Sequence, residues 1–294
     1  MKRVNQSKAW LYLLPAILLL IFFTVIPFIK IIGFSFMQDY SISTNTYSGI
    51  GFSNFADLFN STGFVEALGT TAIAIVVSIP VSLFVALAMA IALNNIKVLN
   101  RLFRTVFFVP FVTNALILGY VTMIIYVNNN VSVSLFNWFL GLFGVESVNW
   151  LTGAYFYKLV VYILYIIWRL LPFEIIILIS ALHSIKKEYY VSAKIDGCSP
   201  VKQFNKITLP MLVPMLSFLT FSGVITVLKD FDNAIGIFGG ESLTSANLTT
   251  LTGYMYSGMD FYTGKSSAVA LIISVIFIVL FMVVLFMIKR RKDA

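Results

Sequence analysis

Charge is what this sequence has least of. Only 11% of its 294 residues are Asp, Glu, Lys or Arg, against about one quarter in an ordinary soluble domain. That excludes a disordered chain, which stays open because charge outweighs apolar content, and it argues against a soluble globule. Cysteine and histidine are each present once, as Cys198 and His183. One cysteine cannot make a disulfide framework, and the pair cannot build a zinc cage. His183 cannot by itself complete a nucleophile–base–acid arrangement, and there is no HExxH, no GxSxG and no paired-carboxylate pattern. No catalytic residue and no metal ligand is therefore expected. Gly264-Lys265-Ser266 ends like a phosphate-binding loop, but the first glycine of that loop would fall at Met259. The spacing matters because successive backbone N–H groups must converge on the anion. ATP, if it powers this protein, is expected on another chain.

What the sequence has in excess is apolar residues, at 60% of the chain with 28 Phe. A membrane-spanning helix needs roughly 20 mainly apolar residues, because each rises about 1.5 Å through about 30 Å of hydrocarbon. Six runs qualify, at about 11–36, 67–93, 105–127, 155–181, 211–228 and 267–288. The first follows Lys2, Arg3 and Lys8 in the manner of a signal peptide. Its apolar stretch is too long for one and no small-residue cleavage site follows, so it is expected to be a span.

The net charge of +8 would point to nucleic acid in a soluble domain, but its placement points to a bilayer. With the N-terminus inside, the inner segments carry Lys2, Arg3 and Lys8, then Lys97, Arg101 and Arg104, then Lys186, Lys187, Lys194, Lys202 and Lys206, and finally Lys289 to Lys292. The outer loops carry Asp39, Asp57, Glu66, Glu146, Asp230, Asp232, Glu241 and Asp260 against only Lys229 and Lys265. This is a positive-inside pattern with both ends cytoplasmic. A lipid bilayer is expected as a partner and nucleic acid is not.

Charges within spans are functional candidates because they are costly there. Arg169 and Glu174 lie in the fourth span, five apart, so they share a helical face poorly. Either a pore-facing role or an inter-helix polar contact suits them. Lys30 and Lys158 lie near outer span ends, from which they can snorkel. Helix-breaking and polar residues recur inside the apolar runs: Pro110 with Thr113 and Asn114, Pro172, and Gly223 with Lys229, Asp230, Asp232 and Asn233. Unwound backbone at depth is tolerated only beside protein or water, so several breaks together suit a transport path. Ordinary kinking in a bundle is the bland alternative. The outer segments 38–66 and 128–154 are polar, the latter with Trp138 and Trp150 as interfacial anchors.

The inner segment 183–210 differs from the other loops. It is polar, basic and helix-compatible, with a sharp break at Asp196-Gly197, so it suits either a docking surface or a solvated positive loop. It reads Ile185-Lys186-Lys187-Glu188-Tyr189-Tyr190-Val191-Ser192-Ala193-Lys194-Ile195-Asp196-Gly197-Cys198, then Phe204 and Ile207-Thr208-Leu209-Pro210. This resembles the EAA loop of binding-protein-dependent ABC importer permeases. Tyr12-Leu13-Leu14-Pro15, Ile26-Pro27, Trp150-Leu151, Trp168, Phe231-Asp232 with Gly239-Gly240, and Tyr254-Met255-Tyr256 extend the resemblance over almost the whole chain, to the carbohydrate-uptake branch of the maltose and glycerol-3-phosphate type.

The resemblance implies an all-α polytopic membrane protein of six transmembrane helices, the type I ABC importer permease fold, forming a single permease domain over 1–294. It implies that the loop forms two short helices docking on an ATPase, with Glu188, Val191, Ser192, Ala193, Asp196, Gly197 and Pro210 as coupling residues. Locally, 188–195 holds no Gly or Pro, Gly197 supplies a permissive turn, Ser199 is placed to cap a helix opened by Pro200, and Pro210 ends the elbow. Val191 stands where the motif has Glu, Ser192 for its first Ala and Lys186 for its usual Pro, and Gly240-Glu241-Ser242 replaces a Gly-Gly-Pro turn. The missing Glu bears on the polar part of the ATPase contact. It also suits a heteromeric pair whose partner carries the stricter loop.

By resemblance the sugar site falls on Phe111, Asn114 and Ala115, on Arg169 and Leu170, and on Gly223, Val227 and Asp230. The implied assembly is this chain, a second permease, two ATPase subunits that hold ATP and Mg, and an extracytoplasmic lipoprotein or periplasmic binding protein, in a bacterial inner membrane. No cofactor is expected on this chain itself. The short N-terminus and basic C-terminal tail resemble the first, maltose F-like permease. The implied function is passage of a mono- or oligosaccharide. Glycerol-3-phosphate or another polyol derivative is the alternative within the family. An ion-coupled secondary transporter, which would need more buried acids than Glu174 and often an inverted repeat, and a scaffold or sensor without flux, are the alternatives outside it.

Overall fold

A computed structural model describes residues 6–95, 113–128, 134–238, 248–257 and 263–292. The chain forms two compact units, residues 1–65 with 254–276, and residues 66–253 with 277–294.

In the first unit, α1 (Gln6–Leu20) continues through a π-helical turn (Ile21–Val25) into α2 (Ile26–Phe36). This run is apolar on every side, and Ser35 near its end is the one residue buried within the chain over Trp10–Phe36. A helix of that kind is stable only where its surroundings are apolar too. At its end β1 (Met37–Gln38) pairs antiparallel with β2 (Gly49–Ile50), and α3 (Ser53–Asn60) follows. The buried Asn54 of α3 donates to the carbonyls of Ser35 (3.0 Å) and Met37 (2.8 Å), which answers orphan acceptors at the end of α2. The phosphate-loop look-alike has a structural use here. Gly264 packs so closely that a Cβ would sit 2.6 Å from the Met37 carbonyl oxygen, and Lys265 pairs with Asp57 at 2.9 Å.

The second unit is built on long helices: α4 (Thr62–Asn95), α5 (Ala115–Tyr126), α6 (Leu135–Gly141), α7 (Tyr155–Ser184), α8 (Lys187–Ile195), α9 (Pro200–Gln203), α10 (Leu209–Leu228) and α11 (Asp232–Phe238). A short α12 (Leu251–Ser257) and the long α13 (Thr263–Lys292) complete the chain. Its core joins Ala86, Ala90 and Leu93 of α4 to Ile175, Leu178 and Ile179 of α7 and Leu219 of α10. Alanines one turn apart let the α7 backbone approach closely, which is how apolar helices associate without a hydrophobic drive between them.

Among the described residues five helices are long and apolar enough to cross a membrane, with Ala115–Tyr126 as a shorter apolar helix. The expected span at 105–127 differs: residues 105–112 lie outside the described residues, and α5 starts only at Ala115. Asn114 has left the helical conformation, and its side chain accepts from the Leu116 N–H at 2.9 Å, capping α5. The fifth span also differs. Helix is continuous from Pro200 to Leu228, so the second half of the inner loop is the start of a span and not a separate short helix. Pro210 does not end an elbow. A π-helical turn (Phe204–Thr208) precedes it, and Leu209 N–H bonds to the Phe204 carbonyl. That places Pro210 just past the π-to-α junction of a continuous helix, where the shifted bonding register accommodates its missing N–H. The last helix starts at Thr263 rather than 267.

Two single residues also depart from expectation. Lys158 is 7% exposed, buried among neighbours on α7 instead of snorkelling. Trp150 is not a free anchor. Its Nε1–H donates to Asn137 Oδ1 at 2.7 Å, and its ring packs on Tyr126, Phe136 and Tyr157. Trp138 is exposed.

Candidate functional site

Two adjoining cavities lie between α5, α7 and α10. The larger, about 270 Å³, is lined by Thr113, Ala115, Arg169, Leu170, Phe173, Glu174, Leu219, Ser222, Gly223 and Thr226. The other, about 220 Å³, shares Ala115, Arg169 and Thr226 and adds Ile225, Lys229, Asp230 and Phe231. Both exist because of local breaks. α5 begins late at its Asn114 cap, and α10 stops at Leu228 with Lys229 as C-cap. Gly223 holds α10 against α4: a Cβ there would lie 3.3 Å from Ile79 Cγ1.

The charges at the cavities are organised around Asp230, which is 4% exposed. Arg169 Nη1 donates to its Oδ1 at 2.9 Å, and Tyr162 Oη donates to its Oδ2 at 2.9 Å. Its main chain is held as well, with its N–H donating to Val227 O and its carbonyl accepting from Thr250 Oγ1 at 3.3 Å. A carboxylate shared between a guanidinium and a phenol ties the middle of α7 to the point where α10 breaks, a charge-assisted contact of the stronger kind. Beyond the break, α11 lies against α5 backbone to backbone. A Cβ on Gly236 would fall 2.7 Å from Leu116 O and 2.9 Å from Gly119 Cα.

Of the residues assigned to the sugar site from sequence, Ala115, Arg169, Leu170 and Gly223 line the larger cavity, and Asp230 lines the smaller. Asn114 is exposed and serves as the cap. Val227 is 2% exposed and lines neither cavity. Phe111 lies outside the described residues. Arg169 and Glu174 do meet at one cavity despite their spacing, because a long arginine side chain covers the angle that five helical steps leave open. Phe173, Leu219, Ser222 and Thr226 were missed. The last three fall with Gly223 at i, i+3 and i+4 steps on α10, a face that carries no distinctive sequence mark.

Residues 185–208 form a knob at the opposite end of the same helices. α8 ends in a C-cap at Asp196, with Gly197 N–H bonding to Lys194 O and Cys198 N–H to Ala193 O. Gly197 has φ +72°, the left-handed conformation that glycine adopts without strain. Ser199 Oγ then accepts from Lys202 N–H, and Pro200 opens α9. Ala193 and Thr208 are buried, and Tyr190 Oη lies 2.8 Å from Thr208 Oγ1, which pins α8 against the start of α10. Glu188, Val191, Ser192, Asp196, Gly197 and Pro210 are exposed. Val191, Ile195 and Val201 are each more than half exposed and form an apolar face on an otherwise basic knob.

Residues 78–293 match the family model described as the inner membrane component of binding-protein-dependent transport systems. The chain is 30% identical over 262 residues to the lactose transport system permease protein LacF of Rhizobium radiobacter, a match covering 87% of this chain and 85% of that one. It is 29% identical to the arabinooligosaccharides transport system permease protein AraP of Halalkalibacterium halodurans, over 86% of this chain and 78% of that one. It is 25% identical to the trehalose/maltose transport system permease protein MalF of Thermococcus litoralis, over 100% and 97%. Among solved structures, a bacterial ABC transporter involved in import of the acidic polysaccharide alginate superposes with a TM-score of 0.80 at 22% identity, covering 97% of this chain and 96% of that one. At that identity the likeness is one of fold.

Proposed function

The chain belongs to the family of inner-membrane components of binding-protein-dependent transport systems, and on that premise we propose how it works. It is a permease subunit of an ABC sugar importer, integral to the membrane, and a transport subunit rather than an enzyme. In the proposed assembly it pairs with a second permease to enclose a path for a mono- or oligosaccharide. Two ATPase subunits, which hold the ATP and Mg, dock on residues 183–210. An extracytoplasmic binding protein delivers sugar to the outer loops at 38–66 and 229–265. The membrane is a bacterial inner membrane with both termini of the chain in the cytoplasm. The lactose, arabinooligosaccharide and trehalose/maltose systems named for the relatives support a neutral saccharide as cargo.

One observation carries this proposal. Two of the three helices that wall the cavities, α7 and α10, hold the knob between them. A push on α8 is therefore a push on the cavity walls. For that push to bias inward or outward access, the ATPase must contact the knob differently in its two states. The larger cavity, at about 270 Å³, is just under the roughly 300–1,000 Å³ usual for a small-molecule site, as suits one half of a site that a second permease completes.

Replacing Gly197 by valine forces a β-branched residue into the left-handed region at a cost of about 1–2 kcal/mol, which re-aims Ser199 and α9. ATPase subunits co-purifying with a tagged chain are expected to drop about tenfold, while the chain itself still accumulates in membranes. Undiminished ATPase recovery after deleting residues 186–206 would sink the docking proposal.

A further inference from the structure

Glu174 is the one charged group at the larger cavity that the Asp230 cluster does not absorb. It sits on α7 at 1% exposure and contributes to the cavity lining. Its Oε1 lies 3.0 Å from Ser82 Oγ, but Ser82 Oγ is also 3.0 Å from the Ile79 carbonyl. One hydroxyl proton can serve only one of these acceptors at a time. Its Oε2 has no hydrogen-bond partner among the described residues. A buried carboxyl group so poorly supplied is expensive to keep unless something else fills its needs. The cavity it faces offers the space, and an occupant with O–H groups offers the donors.

We propose that Glu174 recognises a hydroxyl of the transported sugar, and that the cavity thereby favours neutral, hydroxyl-rich substrates and disfavours carboxylate-bearing ones. The proposal rests on the cavity being the sugar path. A sugar hydroxyl both donates and accepts, so it suits Glu174 in either protonation state. A substrate carboxylate only accepts, and against the ionised Glu174 it meets an acceptor of like charge. Arg169 compensates only in part, because its charge is already shared with Asp230, which accepts one of its N–H groups at 2.9 Å and is itself held by Tyr162. An acidic sugar that drew Arg169 toward itself would leave the buried Asp230 carboxylate with less to offset its own desolvation. Phe173 and Leu170 beside Glu174 supply the apolar wall against which a sugar ring packs. The fold likeness to an alginate importer thus carries no preference for acidic cargo into this cavity.

The test is saturation-transfer NMR on the importer purified through a tag on this chain, with lactose, maltose and arabinobiose as neutral probes and digalacturonate as the acidic one. At least one neutral probe is expected to bind the wild type about tenfold more strongly than digalacturonate. Glu174→Gln, which keeps shape and can both donate and accept, is expected to retain the neutral probe and bring digalacturonate within about threefold of it. Glu174→Leu is expected to lose the neutral probe about tenfold. Equal wild-type binding of neutral and acidic probes, which requires no variant to fold, would overturn the proposal. So would an unchanged preference in Glu174→Gln. Ser222→Phe separates this from the broader assignment, because it fills the cavity from its lining. If it abolishes neutral-sugar binding while sugar charge makes no difference, only the role of Glu174 falls. If neutral-sugar binding survives it, or no neutral probe binds the wild type, the cavity is not the sugar path and both fall.

Discussion

Replacing Asp230 by alanine is expected to destabilise the protein by about 2–3 kcal/mol and to abolish transport. Breaking a fully buried ion pair by truncating one partner costs roughly 3–5 kcal/mol, because the surviving charge is left uncompensated. Here the surviving Arg169 side chain keeps 29% exposure while Asp230 keeps 2%, so part of the loss is recovered by solvent. Tyr162, fully buried, loses its acceptor in the same stroke, which adds a neutral hydrogen bond to the loss. Function suffers beyond stability, because Asp230 joins the α7 wall of the cavities to the end of α10 through both of its carboxylate oxygens. The measurement is a double-mutant cycle on the thermal unfolding of the purified chain, using Asp230→Ala, Arg169→Ala and the double variant. The double variant is expected to be less destabilised than the sum of the singles by about 1 kcal/mol or more. Simple additivity would show that the 2.9 Å contact contributes nothing.

Gly236→Val is the second large effect expected. The atoms a side chain would strike are the carbonyl oxygen of Leu116 at 2.7 Å and the Cα of Gly119 at 2.9 Å. These are backbone atoms, so no rotamer change relieves the clash and α11 must lift away from α5. Overpacking of this kind costs about 1–3 kcal/mol. The functional cost is larger, because α11 follows directly on Asp230 and Phe231, which line the smaller cavity. Sugar uptake by the assembled importer is expected to fall at least tenfold, while ATPase subunits still co-purify, since the knob at 187–203 is untouched. Loss of ATPase recovery together with uptake would mean that the variant has failed to assemble rather than lost its path. Wild-type uptake would mean that the two helices need not touch.

The knob at 185–208 was legible because its signals are local. Ser199 followed by Pro200 starts a helix, and Gly197 after Asp196 ends one, through bonds that reach no further than a few residues. The fate of Pro210 was not legible in the same way. A proline is read as a stop, and it is one unless the preceding helix shifts its bonding register, as the π-helical turn at 204–208 does. The cavity was half legible. Arg169 and Asp230 stand out as charges in apolar surroundings, but their pairing spans 61 positions. Ser82 and Glu174 are 92 apart, and no spacing rule connects them. The partner of Trp150 was not legible for a like reason: no spacing rule connects it to Asn137, which takes its N–H.

The sequence by itself determined that the chain holds several runs long and apolar enough to cross a membrane, and which segments between them hold its basic residues, because length of apolar run and placement of Lys and Arg are one-dimensional properties. Only the tertiary structure decided which sides of α4, α7 and α10 enclose the cavities and which charge answers which. In lipid a helix can be apolar all round, so its sequence carries no periodic mark of the face it buries. Close packing of glycine and alanine, and the pairing of a few buried polar groups, make that choice instead.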